Sequence, residues 1–349
     1  MTTILTTVGT SLLGNAKRAT GTDNPDSHAL ARFLKETDSA EASAETNSLS
    51  RLLKPGDRIV LLHSDTPDGE QCAAVLLHYY ERTHDAVKEK IPKLDYRESG
   101  FKVQGLRSLV SAMARLIGEQ RRAGHDVAIN ATGGFKAEIA YATLVGLLFD
   151  VPVYYIHEAF KDIIEMPATP IGWDLSLIDE HEEFFDWVDA ELRGTQEVQS
   201  RLAALPSQIH LLLHEEDGFT MLSPMGEAYY EAFKQRLEQG GGDPVLLSGS
   251  ARQVYDSLDP SQSRPFDSLF QRLAIRGLRR GGSEAVTGAA CFVYPRRHVN
   301  ERMFYTEDPD GTVRVLEIGR HSDKSYDAIY EGIQKRIKRG TYDDFQPLS

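Results

Sequence analysis

The stretch Asn130 to Ala140, NATGGFKAEIA, constrains this chain most, because it must turn a buried strand directly into a buried helix. Before it, Asp126 to Ile129 (DVAI) is a short apolar run of the kind that forms a buried strand; after it, Ile139 to Phe149 is helix-like and almost wholly apolar. Two adjacent glycines and a lysine lie between. Glycines let backbone N–H groups approach an anion, a helix N-terminus adds partial positive charge, and Lys136 in the first turn can reach a phosphate. Two readings stand at this point: a cradle for a phosphorylated ligand, or a tight turn made by Gly133 and Gly134.

The pattern recurs upstream. Thr3 to Val8 (TILTTV) reads as a strand running into Gly9, Thr10 and Ser11, and Arg58 to His63 (RIVLLH) as another ending in Ser64, Asp65 and Thr66. Helices are expected around His28 to Glu36, Gly69 to Tyr80 and Leu106 to Ala123, and a further strand at Val153 to Ile156. Alternating strands and helices imply α/β architecture, a parallel sheet whose ligands bind at the carboxyl ends of its strands. Three such ends carry Thr10/Ser11, Ser64/Thr66 and Thr132/Gly133/Gly134. Hydroxyl residues at strand ends also serve as ordinary helix caps.

A hydrophobic content of 41% and a charged content of 26% fit a soluble globular chain, and 349 residues suffice for two or three domains. Cys72 and Cys291 form no CxxC pair, which argues against a disulfide scaffold or zinc cluster and for a reducing cytoplasm. The opening residues lack a basic n-region, and Asp150 and Pro152 interrupt the longest apolar run, so neither secretion nor a membrane span is expected. The net charge of −13 disfavours nucleic acid, but it is uneven. Residues 251–349 hold 16 Lys+Arg against 14 Asp+Glu, the preceding 250 hold 23 against 38, and the C-terminal part can therefore still meet RNA or phosphate.

The N-terminal TTVGTSLL together with NATGGFKAEI resembles the CARF domain, the CRISPR-associated Rossmann-like sensor, over roughly residues 1 to 170. That resemblance implies a homodimer whose strand ends share one pocket on the two-fold axis, binding a cyclic oligoadenylate, most often cyclic tetraadenylate. Its contacts would come from Thr10, Ser11, Ser64, Thr66, Thr132, Gly133, Gly134 and Lys136 of each copy.

Residues 176–243 begin with the acidic Ile178-Asp-Glu-His-Glu-Glu and contain a clear helix start at Ser223-Pro-Met-Gly-Glu. The segment resembles the winged-helix-like connector that follows many CARF domains, and its acidity favours a structural role over DNA binding. Gly240 to Gly242 make a break. From Val245 the reading is a strand, two helices (about Ser250 to Leu258 and Pro265 to Arg280) and an antiparallel meander: Ala289 to Tyr294, a strand opening at Arg302, and one running Thr312 to Gly319, with Asp308-Pro-Asp-Gly as the hairpin turn.

The candidate chemistry there is Arg296, Arg297, His298, Arg302, Arg320, His321 and Tyr326, since guanidinium groups at strand ends suit phosphate. A lone surface arginine, Arg296 or Arg297 taken separately, is more often simply solvated. The layout ERMFY, turn, VRVLEIGRH and Tyr326 resembles RelE, a ribosome-dependent messenger-RNA endonuclease. That resemblance implies cleavage without metal or other cofactor: the substrate 2′-OH attacks the adjacent phosphate, Arg302 and Arg320 stabilise the pentacoordinate phosphorus, and Tyr326 orients a base. The family's two lysines have no counterpart here, where Pro295, Arg296 and Arg297 stand. His298 or His321 can serve as acid or base, or can simply face solvent.

The expectation is thus an α/β sensor over residues 1–175, a connector over 176–243 and an α+β RelE-like domain over 244–349. The chain would be a dimeric, cytoplasmic endoribonuclease that acts on mRNA at the ribosome in type III CRISPR antiviral defence. Two alternatives stay open: a ligand-responsive transcription regulator using residues 176–243 on DNA, and a sensor that also degrades its ligand through Ser11 and Lys136.

Overall fold

The computed structural model describes residues 1–156, 162–166, 173–239, 242–296, 299–323 and 326–347. The chain forms two compact units, Met1–Ile171 with Val188–Ala232, and Gly172–Trp187 with Phe233–Ser349.

In the first unit the order is β1 (Thr2–Val8), α1 (Ser11–Thr20), α2 (Ser27–Glu36), α3 (Ser39–Ala42), α4 (Ala44–Leu52), β2 (Arg58–Ser64), α5 (Pro67–Tyr80), β3 (Asp85–Ile91), α6 (Gln104–Arg122), β4 (Asp126–Asn130), α7 (Lys136–Leu148), β5 (Val153–Tyr155) and β6 (Ile164–Glu165). The sheet order is β3-β2-β1-β4-β5-β6, parallel except for β6. This is the Rossmann-like arrangement, with β1 at the centre. β1 and β2 are buried from their second residue onward, as expected of strands covered on both faces. One face packs Ile4, Val8, Ile59 and Leu61 against Leu12, Leu30, Leu49 and Leu76 from α1, α2, α4 and α5. Because the strands are parallel and Thr6 pairs with Asn130 while Val8 pairs with His63, the loops after β1, β2 and β4 leave one edge of the sheet side by side.

Two elements depart from the expected pattern. β3 (DAVKEKI) is half-exposed and charged, which suits an edge strand, where lysine discourages further pairing. α4 lies in a polar segment and is held by a capping box between Ser43 and Thr46.

The connecting segment contributes α8 (Ser176–Glu180), α9 (Glu182–Ala190), β7 (Arg193–Gly194), α10 (Thr195–Leu202), β8 (Leu213–Glu216), β9 (Phe219–Leu222) and α11 (Pro224–Gln239). Its small antiparallel sheet runs β7-β9-β8, with Asp217 and Gly218 at positive φ in the hairpin turn. Arg107 of α6 ties it to the first unit, donating to Asp189 and Glu227, each at 2.6 Å.

The second unit adds β10 (Val245–Leu247), α12 (Gly249–Asp256), α13 (Pro260–Ala274), α14 (Arg276–Gly281), β11 (Glu284–Ala285), β12 (Phe292–Tyr294), β13 (Glu301–Glu307), β14 (Val313–Arg320), α15 (Tyr326–Lys338) and β15 (Gln346–Pro347). Its sheet order is β11-β12-β13-β14-β10-β15, antiparallel except where β10 runs beside β14. Period-two alternation sends Met303 and Tyr305 into a core with Phe266 and Phe270 of α13, while Phe304 packs with Tyr326 and Ile333 of α15. The second helix starts at Pro260 rather than Pro265. Asp259 caps it, accepting from Ser261 and Gln262, and Pro260 fits the first helical position. It stops at Ala274, because Ile275 is extended, and α14 follows separately.

The acidic run at residues 178–183 serves this second unit. Asp179 and Glu182 both meet the guanidinium of Arg272, and Glu180 accepts from Arg296 at 2.7 Å.

Candidate functional sites

At the strand-end edge of the first unit, the loops after β1 and β4 are locked together. Thr7 Oγ1 donates to the Gly133 carbonyl at 2.6 Å, and a Cβ placed on Gly9 would lie only 2.6 Å from the Gly134 nitrogen. Neither Gly133 nor Gly134 tolerates a side chain. A Cβ on Gly133 would meet Glu45 Oε1 at 2.2 Å, and Gly134 sits at φ 93°, where only glycine is unstrained.

Beneath the loops lies Glu45 of α4, fully buried. It accepts from the Gly9 N–H at 2.8 Å and from Ser11 Oγ at 3.0 Å, and Ser11 Oγ in turn accepts from the Ala44 N–H. Burial pushes its carboxyl above the usual range, against the pull of those hydrogen bonds. Glu138, in the first turn of α7, is also buried, and desolvation pushes it up to about 8, aided by the nearby Glu45 charge. It takes a backbone hydrogen bond from Phe135, the N-cap residue, while its Oε1 has no hydrogen-bond partner.

The eight expected ligand residues divide accordingly. Thr10, whose hydroxyl makes no cap bond, and Lys136, first residue of α7, are exposed, with Gly134 half-buried between the loops. Phe135 offers no side-chain acceptor, so the N-terminus of α7 carries no side-chain cap. Gly133 is buried, and Ser11 is bound to Glu45. Thr132 Oγ1 donates to Asn130 Oδ1 at 2.8 Å and accepts from the Ile156 N–H. The Ser64 and Thr66 hydroxyls bond one another at 2.8 Å, and Thr66 caps α5 through the Gly69 N–H; both are buried. Sequence reasoning missed Glu45, Glu138 and Phe135. Glutamate three residues after an N-cap is a readable signal for Glu138, whereas Glu45 sits in a polar stretch with none.

In the second unit, Arg302, Arg320, His321 and Tyr326 come together where β13 begins and β14 ends, since Glu301 pairs with Arg320 and Arg302 with Gly319. Their states differ. Arg302 is 5% exposed and donates to the carbonyls of Val299 and Glu301, and burial lowers its pKa. Arg320 is half-buried, with Nε 3.2 Å from Asp323. The Tyr326 ring is buried, its centroid 4.2 Å from that of the exposed His321, and burial raises its phenol. The His321 N–H donates to the Asn300 carbonyl at 2.7 Å, anchoring the turn. Arg297 and His298 lie outside the described residues.

Among the described residues no group of three or more His, Cys, Asp or Glu side chains is placed to hold a metal ion, and no helix is long and apolar enough to cross a membrane.

A family model described as "CRISPR-associated protein (Cas_APE2256)" matches residues 37–169. Among solved structures, the chain is similar to Can2 from Sulfobacillus thermosulfidooxidans in complex with cyclic tetra-adenylate, at 12% identity over 96% of this chain and 85% of that one, with a TM-score of 0.28. It is also similar to the toxin–antitoxin complex RelBE2 from Mycobacterium tuberculosis, at 22% identity over 23% of this chain and all of that one, with a TM-score of 0.21.

Proposed function

We propose that the chain is a cyclic-oligoadenylate-activated endoribonuclease of type III CRISPR defence. Residues 1–175 act as the sensor, 176–243 as the connector and 244–349 as the ribonuclease. The reading rests chiefly on one relationship: the loops after β1 and β4 approach to backbone contact at Gly9 and Gly134, beside the exposed Lys136 and a helix start whose N–H groups lack a side-chain cap. That is an anion site at the strand-end edge where parallel sheets bind ligands. The CRISPR-associated family match over residues 37–169 supports assigning the anion to a cyclic oligoadenylate such as cyclic tetraadenylate. A homodimer would present two copies of Lys136 to one ring.

In the ribonuclease, Arg320 with His321 beside it would meet the scissile phosphate. The substrate 2′-OH attacks phosphorus, the P–O5′ bond breaks, and a 2′,3′-cyclic phosphate and a 5′-OH are left. The substrate in this reading is mRNA engaged by the ribosome.

The test is a translating extract with and without cyclic tetra- or hexaadenylate, followed by mapping of mRNA 5′ ends. New 5′-OH ends that depend on activator and disappear in Arg320→Ala are expected; intact mRNA under all conditions overturns the reading.

A further inference from the structure

Phe135 occupies a position that its neighbours do not explain. It is the N-cap of α7, where Ser, Thr, Asp or Asn would bond the first-turn N–H groups, and it makes no side-chain cap bond. Its ring is 40% exposed, against Tyr96, itself 56% exposed, with centroids 4.5 Å apart; Phe101 meets Phe135 at 6.1 Å, close to edge-on. Tyr96 comes from the loop after β3, whose Leu94 carbonyl accepts from the Asp65 N–H of the loop after β2, so this loop too sits at the strand-end edge. Asp95 grips Arg97 through Nε and Nη2, and the guanidinium stands 5.7 Å from the Tyr96 ring centre. Tyr96 therefore lies on a loop anchored through Leu94, and Phe135 at the start of α7.

Two exposed aromatic rings therefore meet beside the anion site proposed above, and Phe135 stands between Gly134 and Lys136 in the chain. An apolar partner would not need the neighbouring lysine and N–H groups, and an inorganic anion would not need the rings. A ligand that joins phosphate to a flat π-system uses both, because bases stack on aromatic side chains while phosphates take N–H groups and lysine. We infer that Tyr96 and Phe135 form the shelf on which an adenine base of the ligand stacks. The inference rests on the sensor reading above and adds the residues that bind the base.

The experiment titrates cyclic tetraadenylate into the full-length protein and into Tyr96→Ala, Phe135→Ala and Phe135→Trp, with light scattering and melting run on each. Expected are affinities about 5- to 150-fold weaker for the two alanine variants, the range found for losing one base–aromatic stack. Phe135→Trp should bind as wild type and lose emission on binding beyond any change from Trp173 and Trp187, a signature a structural ring would not give. If the wild type binds neither cyclic tetraadenylate nor, titrated in the same way, cyclic hexaadenylate, the sensor reading falls and this inference with it. If the wild type binds while both alanine variants match it within twofold, or the added emission of Phe135→Trp is unmoved, the shelf alone is overturned. Halved mass in the alanine variants would make the rings an interface with a second copy and would overturn it as well.

Discussion

Gly9 and Gly134 meet backbone to backbone: a methyl group on Gly9 would sit 2.6 Å from the Gly134 nitrogen and 3.2 Å from its Cα. Neither atom belongs to a side chain that could swing away. Gly9→Ala must therefore separate the two loops and disturb Glu45, which accepts from the Gly9 N–H. The expected cost is about 1–3 kcal/mol of unfolding free energy, as for overpacking elsewhere, and cyclic oligoadenylate affinity weaker by about tenfold, equivalent to about 1.4 kcal/mol. Urea unfolding and titration calorimetry on the same preparation check both. A folded Gly9→Ala protein with wild-type affinity would separate the loop contact from the anion site.

Glu138 ties stability to pH. Its folded pKa is raised from the ordinary 4.5 to about 8 by burial. Between those values the folded chain keeps a proton that the unfolded chain has released. The contribution is whole below pH 4.5 and is lost progressively as pH rises through about 8, at up to about 1.4 kcal/mol per pH unit. Glu138→Gln is neutral at every pH and should flatten this part of the slope, leaving only what Glu45, raised in the same direction, contributes. Urea midpoints from about pH 5 to about pH 8 should fall more steeply in the wild type; parallel curves would show that Glu138 ionises as freely folded as unfolded.

How much of this was legible beforehand depended on whether a residue's role is local. The apolar runs of β1, β2 and β4 and the glycines between β4 and α7 state their roles by type and spacing, and the sheet follows from them. β3 is hidden because an edge strand needs only half its side chains buried and carries lysine and glutamate on the rest. Phe135 is hidden because an apolar residue before an apolar helix reads as core, and only the fold turns its ring outward. Arg302 misleads in the opposite sense. A strand-end arginine suggests an open cation, but the carbonyls that take its guanidinium belong to Val299 and Glu301, at an entry into β13 whose shape depends on the β13–β14 pairing.

Arg279 offers a test of what holds the second unit together. It is fully buried, with Nη2 2.6 Å from Asp243, Nε 3.1 Å from Glu307 and Nη1 donating to the Leu273 carbonyl at 2.8 Å. One planar guanidinium thus joins the approach to β10, β13 and the end of α13. Arg279→Ala should cost about 3–5 kcal/mol, since breaking a buried pair abandons its carboxylates. Arg279→Lys should recover only part, because an ammonium cannot reproduce the fork. Denaturant unfolding of the full chain reads both, and equal stability for wild type and Arg279→Lys would contradict the fork argument.

Arg302 and Arg320, neighbours at one end of the β13–β14 pair, should fail differently. Arg320 reaches the half-exposed edge, with Nε on Asp323, so Arg320→Ala should leave melting nearly unchanged while lowering activated RNA cleavage about 100- to 1000-fold, the usual loss for one transition-state donor. Arg302 instead holds the entry into β13 through the carbonyls of Val299 and Glu301. Removing it leaves those acceptors without their donor, and Arg302→Ala should cost about 1–3 kcal/mol of stability together with activity. Melting curves alongside 5′-end mapping distinguish the two. If Arg302→Ala melts like the wild type and loses cleavage alone, its guanidinium must leave those carbonyls to meet RNA. If Arg320→Ala cuts at the wild-type rate, the β13–β14 end is not where the phosphate reacts.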